Sequence, residues 1–399
     1  MTVVSTEGRG RGRFPVYSLL VCILAALAAL ALLYTPIRSK LYKIEYWTAD
    51  WRTVLLADST PGKHPRIVLV LFDPATFDGG VVSPIPRDMH AQVLWGLAAM
   101  QPAAIGLDFY FVASQGEAKD AAMLDALHKI ERPIVLGGVD HHTTEFDQRQ
   151  LAYQKSFLAD AGRPVGYLAL DYGPGHVVRR TSAPLADSPF QESFARQIAM
   201  AAGAEPAGPG SSSASMPIAW LKGPDNDTEP FFRVSPRDLL PGADETRRQE
   251  IAQRVKGNIV ITGIAMRNSD EHDTALSVWT ERKMFGAIIH AHILAQLLDG
   301  RYYSELDGRS ELIVLLAVGL GGVILGWALR DTYARLLNLG VATAVLVGID
   351  ALCYLSLRLV LPFTLMLSVW FIGALAGRHL RKLALWARGR ATAPVPQTA

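Results

Sequence analysis

The apolar residues of this chain gather at its two ends, in the first forty residues and the last ninety, with a more polar stretch between them. A helix that crosses a hydrocarbon core of about 30 Å needs roughly 20 apolar residues at 1.5 Å each. Residues 16–34 form one such run without a charge. Residues 311–329, uncharged from Leu312 onward, form a second. Residues 336–357, broken only by Asp350, form a third, and residues 359–377 a fourth. One transmembrane helix before and three after a large middle domain are therefore expected. A cleaved signal peptide is the rival reading of the first run. That run is long for a signal, and Leu33-Tyr34-Thr35-Pro36 is a poor small-residue cleavage site.

Positive charge sets the orientation. Arg9, Arg11 and Arg13 precede the first run, Arg330 and Arg335 separate the second from the third, and Arg378, Arg381, Lys382, Arg388 and Arg390 follow the fourth. Four spans with the N-terminus inside put all three basic segments in the cytosol. The tails 1–15 and 378–399 are then cytosolic, and residues 37–309 form an extracytoplasmic domain of a bacterial cytoplasmic (inner) membrane protein. The net charge of +2 gives no argument for nucleic acid. The two cysteines, Cys22 and Cys353, both fall in apolar runs, so the middle domain has neither a disulfide nor a cysteine-ligated metal.

Within that domain, short apolar runs alternate with helical patterns. Arg66 to Asp73, Ala103 to Phe109 and Pro133 to Val139 read as strands; Arg87 to Met100 and Lys119 to Lys129 read as helices. Further strands are expected at Val165 to Leu170, Phe231 to Val234 and Asn258 to Gly263, with helices near Phe190 to Ala202 and from Gly286 to Leu298. The order predicts an α/β domain whose central sheet is mainly parallel, flanked by helices and joined by right-handed crossovers. Residues 201–217, containing Gly-Pro-Gly-Ser-Ser-Ser-Ala-Ser, read as a flexible surface insertion.

Four segments carry a family resemblance: Ile67 to Asp73 followed by Pro84-Ile85-Pro86-Arg87; Ala104 to Phe111; Gly166 to Asp171 with Val178-Arg179-Arg180; and Lys256 to Gly263 with Asp270, His272, Thr274 and Phe285 to Ala291. In order and spacing they resemble the CHASE family of type two, the cyclase/histidine-kinase-associated sensory extracellular domains. Asp50-Trp51-Arg52 is similar to the opening segment of that family. The resemblance covers almost all of residues 40 to 305, and one span before with three after is also the family's arrangement. It implies a sensory input module, usually placed ahead of a cytosolic output domain. Only the short segment Arg378 to Ala399 follows the last span here. Any signal is therefore expected to pass to a separate membrane or cytosolic protein, with a homodimer as one arrangement.

Ligands of open parallel sheets bind beyond the carboxyl ends of the strands. Those ends carry Asp73, Asp108, Asp140 with His141, and the stretch Asp270, His272, Asp273, Thr274, while Arg87 opens the helix after the first strand. Carboxylates gathered on one edge are costly unless paired or bound to a cation. Two readings stand side by side. In one, these residues and Arg87 surround a cavity for an unknown small ligand or a periplasmic protein. In the other, the aspartates cap loops or pair with arginines. No metal site and no cofactor are expected, because the acidic and histidine residues lie in solvated loops and His290 and His292 do not share a helix face. The glycines near 137 form no dinucleotide fingerprint. No nucleophile elbow, Walker loop or H-E-x-x-H is present, so an enzyme is not expected.

In the membrane, Gly322-x-x-x-Gly326 and Gly373-x-x-x-Gly377 permit close helix contact, with packing inside one chain the expected use. Asp350 is an ionisable group within a span, a candidate for function or for a buried polar pair. The expected protein is a membrane-anchored sensory or accessory protein. A structural or assembly subunit of an envelope complex is the alternative.

Overall fold

The computed structural model describes residues 16–33, 37–80, 82–206, 215–225, 228–267, 269–329 and 332–391. The expected cytosolic tail 1–15 and the centre of the expected insertion, 207–214, lie outside these residues. The chain divides into two compact units, Asp50–Ser304 and the combined segments Met1–Ala49 and Glu305–Ala399. The chain opens with helices α1 (Val16–Leu33) and α2 (Ile37–Leu56).

The first unit is α/β. Its central sheet is built from β1 (Ile67–Phe72), β2 (Ala104–Leu107), β3 (Ile134–Gly138), β4 (Val165–Tyr167), β7 (Phe232–Val234) and β8 (Ile259–Ile264). Their spatial order is 4-3-2-8-1-7, and every neighbouring pair is parallel. Side chains alternate across a pleated strand, so a strand buried on both faces reads as a continuous apolar run. β1 shows this directly. Ile67, Leu69 and Leu71 join one apolar core, while Val68, Val70 and Phe72 join the other on the opposite face. Each fully buried side chain of this kind contributes about 1.5–3 kcal/mol.

Helices α6 (Phe194–Ala201) and α8 (Gly286–Asp299) cover the first face. Helices α3 (Arg87–Ala99), α4 (Glu117–Lys129), α5 (Gln148–Ala161) and α7 (Glu245–Val255) supply the second core. A smaller mixed sheet packs at the carboxyl edge. It consists of β5 (Asp171–Gly173), β6 (Val177–Arg180), β9 (Glu271–Thr274) and β10 (Met284–Phe285), in the order 10-9-6-5.

The two flanks of the 201–217 stretch are held in place. Residue 201 is the last of α6, and Ser215 accepts from Arg180 and donates to Asp171 Oδ2 at 3.1 Å.

The second unit is helical. Besides α1 it contains α9 (Gly308–Ala328), α10 (Thr332–Leu357) and α11 (Phe363–Ala391). Gly308–Ala328, Leu336–Leu357 and Phe363–Trp386 are long and apolar enough to cross a membrane, and Leu20–Ala31 of α1 is a shorter apolar segment. The last helix starts later than residue 359, after Pro362, and runs on through the basic segment to Ala391.

The paired small residues bring α9 and α11 together: an added Cβ at Gly326 would lie 2.0 Å from the Ala374 carbonyl oxygen, and one at Gly377 would lie 2.1 Å from that of Val323. The Glu45 carboxylate accepts from the backbone N–H groups of Thr364 at 2.6 Å and Leu365 at 3.3 Å. An anionic group there satisfies donors that the first turn of α11 leaves unpaired. At the other end, Arg381 donates to the carbonyl of Leu329 at 3.0 Å, where α9 ends. Asp350 is buried and is not without a partner.

Candidate functional site

The strand ends form the floor of a cleft of about 660 Å³ within the α/β unit. Asp108 directly follows β2 and is tied to the adjacent strand by its N–H, which donates to the Thr262 carbonyl at 2.9 Å. Its side chain is half-buried, yet its Oδ2 is fully shielded from solvent and has no hydrogen-bond partner. Burial, reinforced by the nearby charge of Asp270, pushes this carboxyl well above the ordinary carboxylate range.

Asp270 faces it from the loop before β9. Its Oδ2 accepts from the N–H of Gly286 at 3.0 Å, in the first turn of α8. The helix terminus favours a negative charge at this point. Gly286 is needed for the close approach, because an added Cβ would lie 2.5 Å from Asp270 Oδ2. The other oxygen, Oδ1, meets His272 Nε2 at 2.7 Å, and His272 Nδ1 meets the Tyr172 hydroxyl at 2.7 Å. Burial first, then Asp270 and Glu145, pushes the Tyr172 phenol up to about 12. The phenol therefore stays protonated, and His272 links it to Asp270 in one chain of polar contacts. Tyr172 stacks on His176 with ring centroids 4.2 Å apart and planes 4° apart. His290 of α8 closes the back of the cleft, and burial above all lowers it to about 4, which keeps it neutral.

The lining is strongly acidic. Asp108, Glu145, Asp270, Glu271 and Asp273 face a single lysine, Lys283. Tyr110, Tyr167 and Tyr172 add aromatic surface, and His142 lies on the rim.

Of the residues singled out from sequence, Asp108, Asp270, His272 and Asp273 are thus brought together. The others are not. Asp73 caps the short helical turn Pro74–Phe77: its side chain accepts from the Thr76 N–H at 3.0 Å, and Arg233 lies 3.5 Å from its other oxygen. Arg87 does not reach the cleft. It is 2% exposed and donates to Asp120 at 2.6 Å, to the Tyr153 hydroxyl and to the Ala113 carbonyl, with its guanidinium 4.3 Å from the Phe157 ring centroid. It joins α3 to α4 and α5, and the aspartate it neutralises is Asp120 rather than Asp73 or Asp108. Thr274 turns to a separate pocket of about 240 Å³ beside Trp279. Asp140 and His141 border a groove against α5. Tyr172, Glu145 and His290 enter the site without a local signal: the first comes from another sheet, the second from a loop and the third from a buried helix.

The chain thus combines a parallel-sheet α/β domain, with a polar cleft at its strand ends, and three helices long and apolar enough to cross a membrane. The model of the CHASE2 domain matches residues 22–329, well over half of the chain. The chain belongs to this family of sensory domains. Neither the curated proteins nor the solved structures give a match.

Two of the segments that carry the resemblance, Asp50-Trp51-Arg52 and Val178-Arg179-Arg180, meet through one ion pair. Asp50, in the opening segment, is 3% exposed and accepts two hydrogen bonds from Arg179, from Nε at 2.7 Å and from Nη2 at 2.8 Å. This bidentate pair ties α2 to β6 across 129 residues of sequence.

Proposed function

We propose that this chain is a sensor of the bacterial cytoplasmic membrane whose α/β domain, on the extracytoplasmic side, takes a small cationic ligand in the cleft at the strand ends. The supporting observation is Asp108. Its buried oxygen has no donor, and Asp270 holds a second carboxylate beside it. A ligand ammonium group placed between them supplies the missing donor and offsets the repulsion. The excess of carboxylates over lysine in the lining, together with the three tyrosine rings, suits an organic cation. The reading is one of binding rather than catalysis, with the signal passed to a separate membrane or cytosolic partner.

The test is thermal melting of the full chain in detergent against four ligand classes: primary amines, quaternary ammonium ions, divalent cations and dicarboxylates. A ligand at 100 times its Kd stabilises the protein by about 2.7 kcal/mol, which is several degrees in midpoint. Primary amines, whose ammonium carries N–H donors, are expected to raise the midpoint of the wild type more than quaternary ammonium ions, which have none, and to have no effect on Asp270→Asn. Stabilisation by dicarboxylates alone would contradict a cationic ligand.

A further inference from the structure

Beyond the cleft, the loop after β3 carries a second constellation. Asp140, His141 and His142 each offer one ligating atom, and these atoms all lie within 4.8 Å of one another. The two imidazoles are 4.0 Å apart between ring centroids. Both turn Nε2 toward one carboxylate, with His141 at 3.2 Å from Asp187 Oδ2 and His142 at 2.9 Å from Oδ1. With Nε2 of each ring turned to Asp187, Nδ1 is the ring nitrogen left on each histidine to meet a cation.

Asp140 supplies an independent observation. It is 4% exposed, its Oδ1 accepts from the backbone N–H of His142 at 3.0 Å, and its Oδ2 is buried without any hydrogen-bond partner. An unmet carboxylate oxygen in the interior is costly unless something satisfies it. A cation bound here by the neighbouring imidazoles does so.

We propose that Asp140, His141 and His142 form a binding site for a divalent transition metal of the zinc class, with Asp187 as the carboxylate that orients both histidines. The chemistry of the donors fixes the class. Two imidazole nitrogens and one carboxylate oxygen suit zinc and its neighbours rather than calcium or magnesium, which prefer all-oxygen shells. Bond lengths of about 2.0–2.2 Å place ligand atoms roughly 3.4 Å apart around a tetrahedral ion, so a small contraction of the observed cluster completes the shell, with water in the open position. A carboxylate behind the distal imidazole nitrogen is the usual support for a metal-bound histidine. This site does not depend on the cleft's ligand, although His142 also lies on the cleft rim.

The test uses the full chain, purified in detergent without a polyhistidine tag and titrated with cobalt(II), whose visible absorption reports tetrahedral ligation. One equivalent is expected to bind saturably and to be displaced by zinc. His141→Ala and His142→Ala should each weaken binding at least tenfold, and Asp187→Asn should weaken it about 10–100-fold. His141, His142 and Asp187 are on the surface, so the melting midpoints of these variants without metal should match the wild type. Asp108→Asn should leave cobalt binding unchanged, which separates this site from the cleft. Absence of saturable binding, or binding retained in the double variant His141→Ala/His142→Ala, would overturn the proposal.

Discussion

Replacing Arg179 with methionine is expected to destabilise the α/β unit by about 3–5 kcal/mol, the usual cost of removing one partner from a buried ion pair. Asp50 is 3% exposed, and Arg179 supplies two of its hydrogen bonds. Burial already raises the Asp50 carboxyl, with only the bonds and charge of Arg179 opposing it. Without the guanidinium, the aspartate must stay ionised in a poor solvent or take up a proton. A unit of this size loses about 2–4 °C per kcal/mol, so a fall of about 6–20 °C in melting midpoint is expected. The double variant Asp50→Leu/Arg179→Met removes both charges and is expected to recover most of the loss. A fall of only a degree or two in the single variant would mean that water replaces the arginine.

Gly326→Leu is expected to cost about 3 kcal/mol, the upper range for overpacking, because the obstacle is backbone rather than a mobile side chain. A Cβ at Gly326 would lie 2.0 Å from the Ala374 carbonyl oxygen, so even the first added carbon forces α9 away from α11. Helices in lipid associate through close packing rather than the hydrophobic effect, so separation removes the main attraction. Gly340 and Gly348 on α10 are the internal controls, since an added Cβ at either has nothing within 4 Å. Leucine at 340 or 348 should leave the monodisperse folded fraction in detergent close to wild type, while leucine at 326 should reduce it severely. Equal behaviour of the three variants would rule out the glycine contact as what holds these helices together.

The central sheet was legible because its strands are buried on both faces. Runs such as Ile67-Val68-Leu69-Val70-Leu71-Phe72 have few other places to go in a folded chain, and all six expected strands lie in one sheet. The helices α5 and α7 were not legible. On α7 only Ile251 and Val255 are buried and charged residues make up much of the rest, while on α5 the polar Gln154 shares the buried face with Phe157, Leu158 and Ala161. The second sheet was hidden for another reason: β6 pairs with β9 at Val177 and Asp273, a register set by tertiary folding and invisible to local periodicity.

The candidate site divides in the same way. Asp108, Asp270, His272 and Asp273 were legible because chain order puts residues that follow parallel strands at one edge. Tyr172 was not, since its contact with His272 spans 100 residues of sequence. Arg87 does not join them: it pairs with Asp120 on another helix, 33 residues away, a partner that chain order does not reveal. Asp73 carries a local capping signal, Asp-Pro-Ala-Thr, that favours the turn it forms over a ligand site.

The cleft reading rests on Asp108 being kept unpaired at a cost to stability. A carboxyl whose pKa is raised on folding stabilises the fold fully only below its unfolded value of about 3.9. That contribution is lost as pH rises from there toward the raised folded value. The most direct measurement is the melting midpoint of the full chain and of Asp108→Asn across pH 4 to 8, with no ligand added. Asn cannot ionise, so the variant is expected to be more stable than wild type at neutral pH by about 1–3 kcal/mol, with the gap closing as pH falls. It should also lose the stabilisation that amines give the wild type. An Asp108→Asn variant less stable than wild type at neutral pH, or one that still responds to amines, would contradict the cleft as the sensory site.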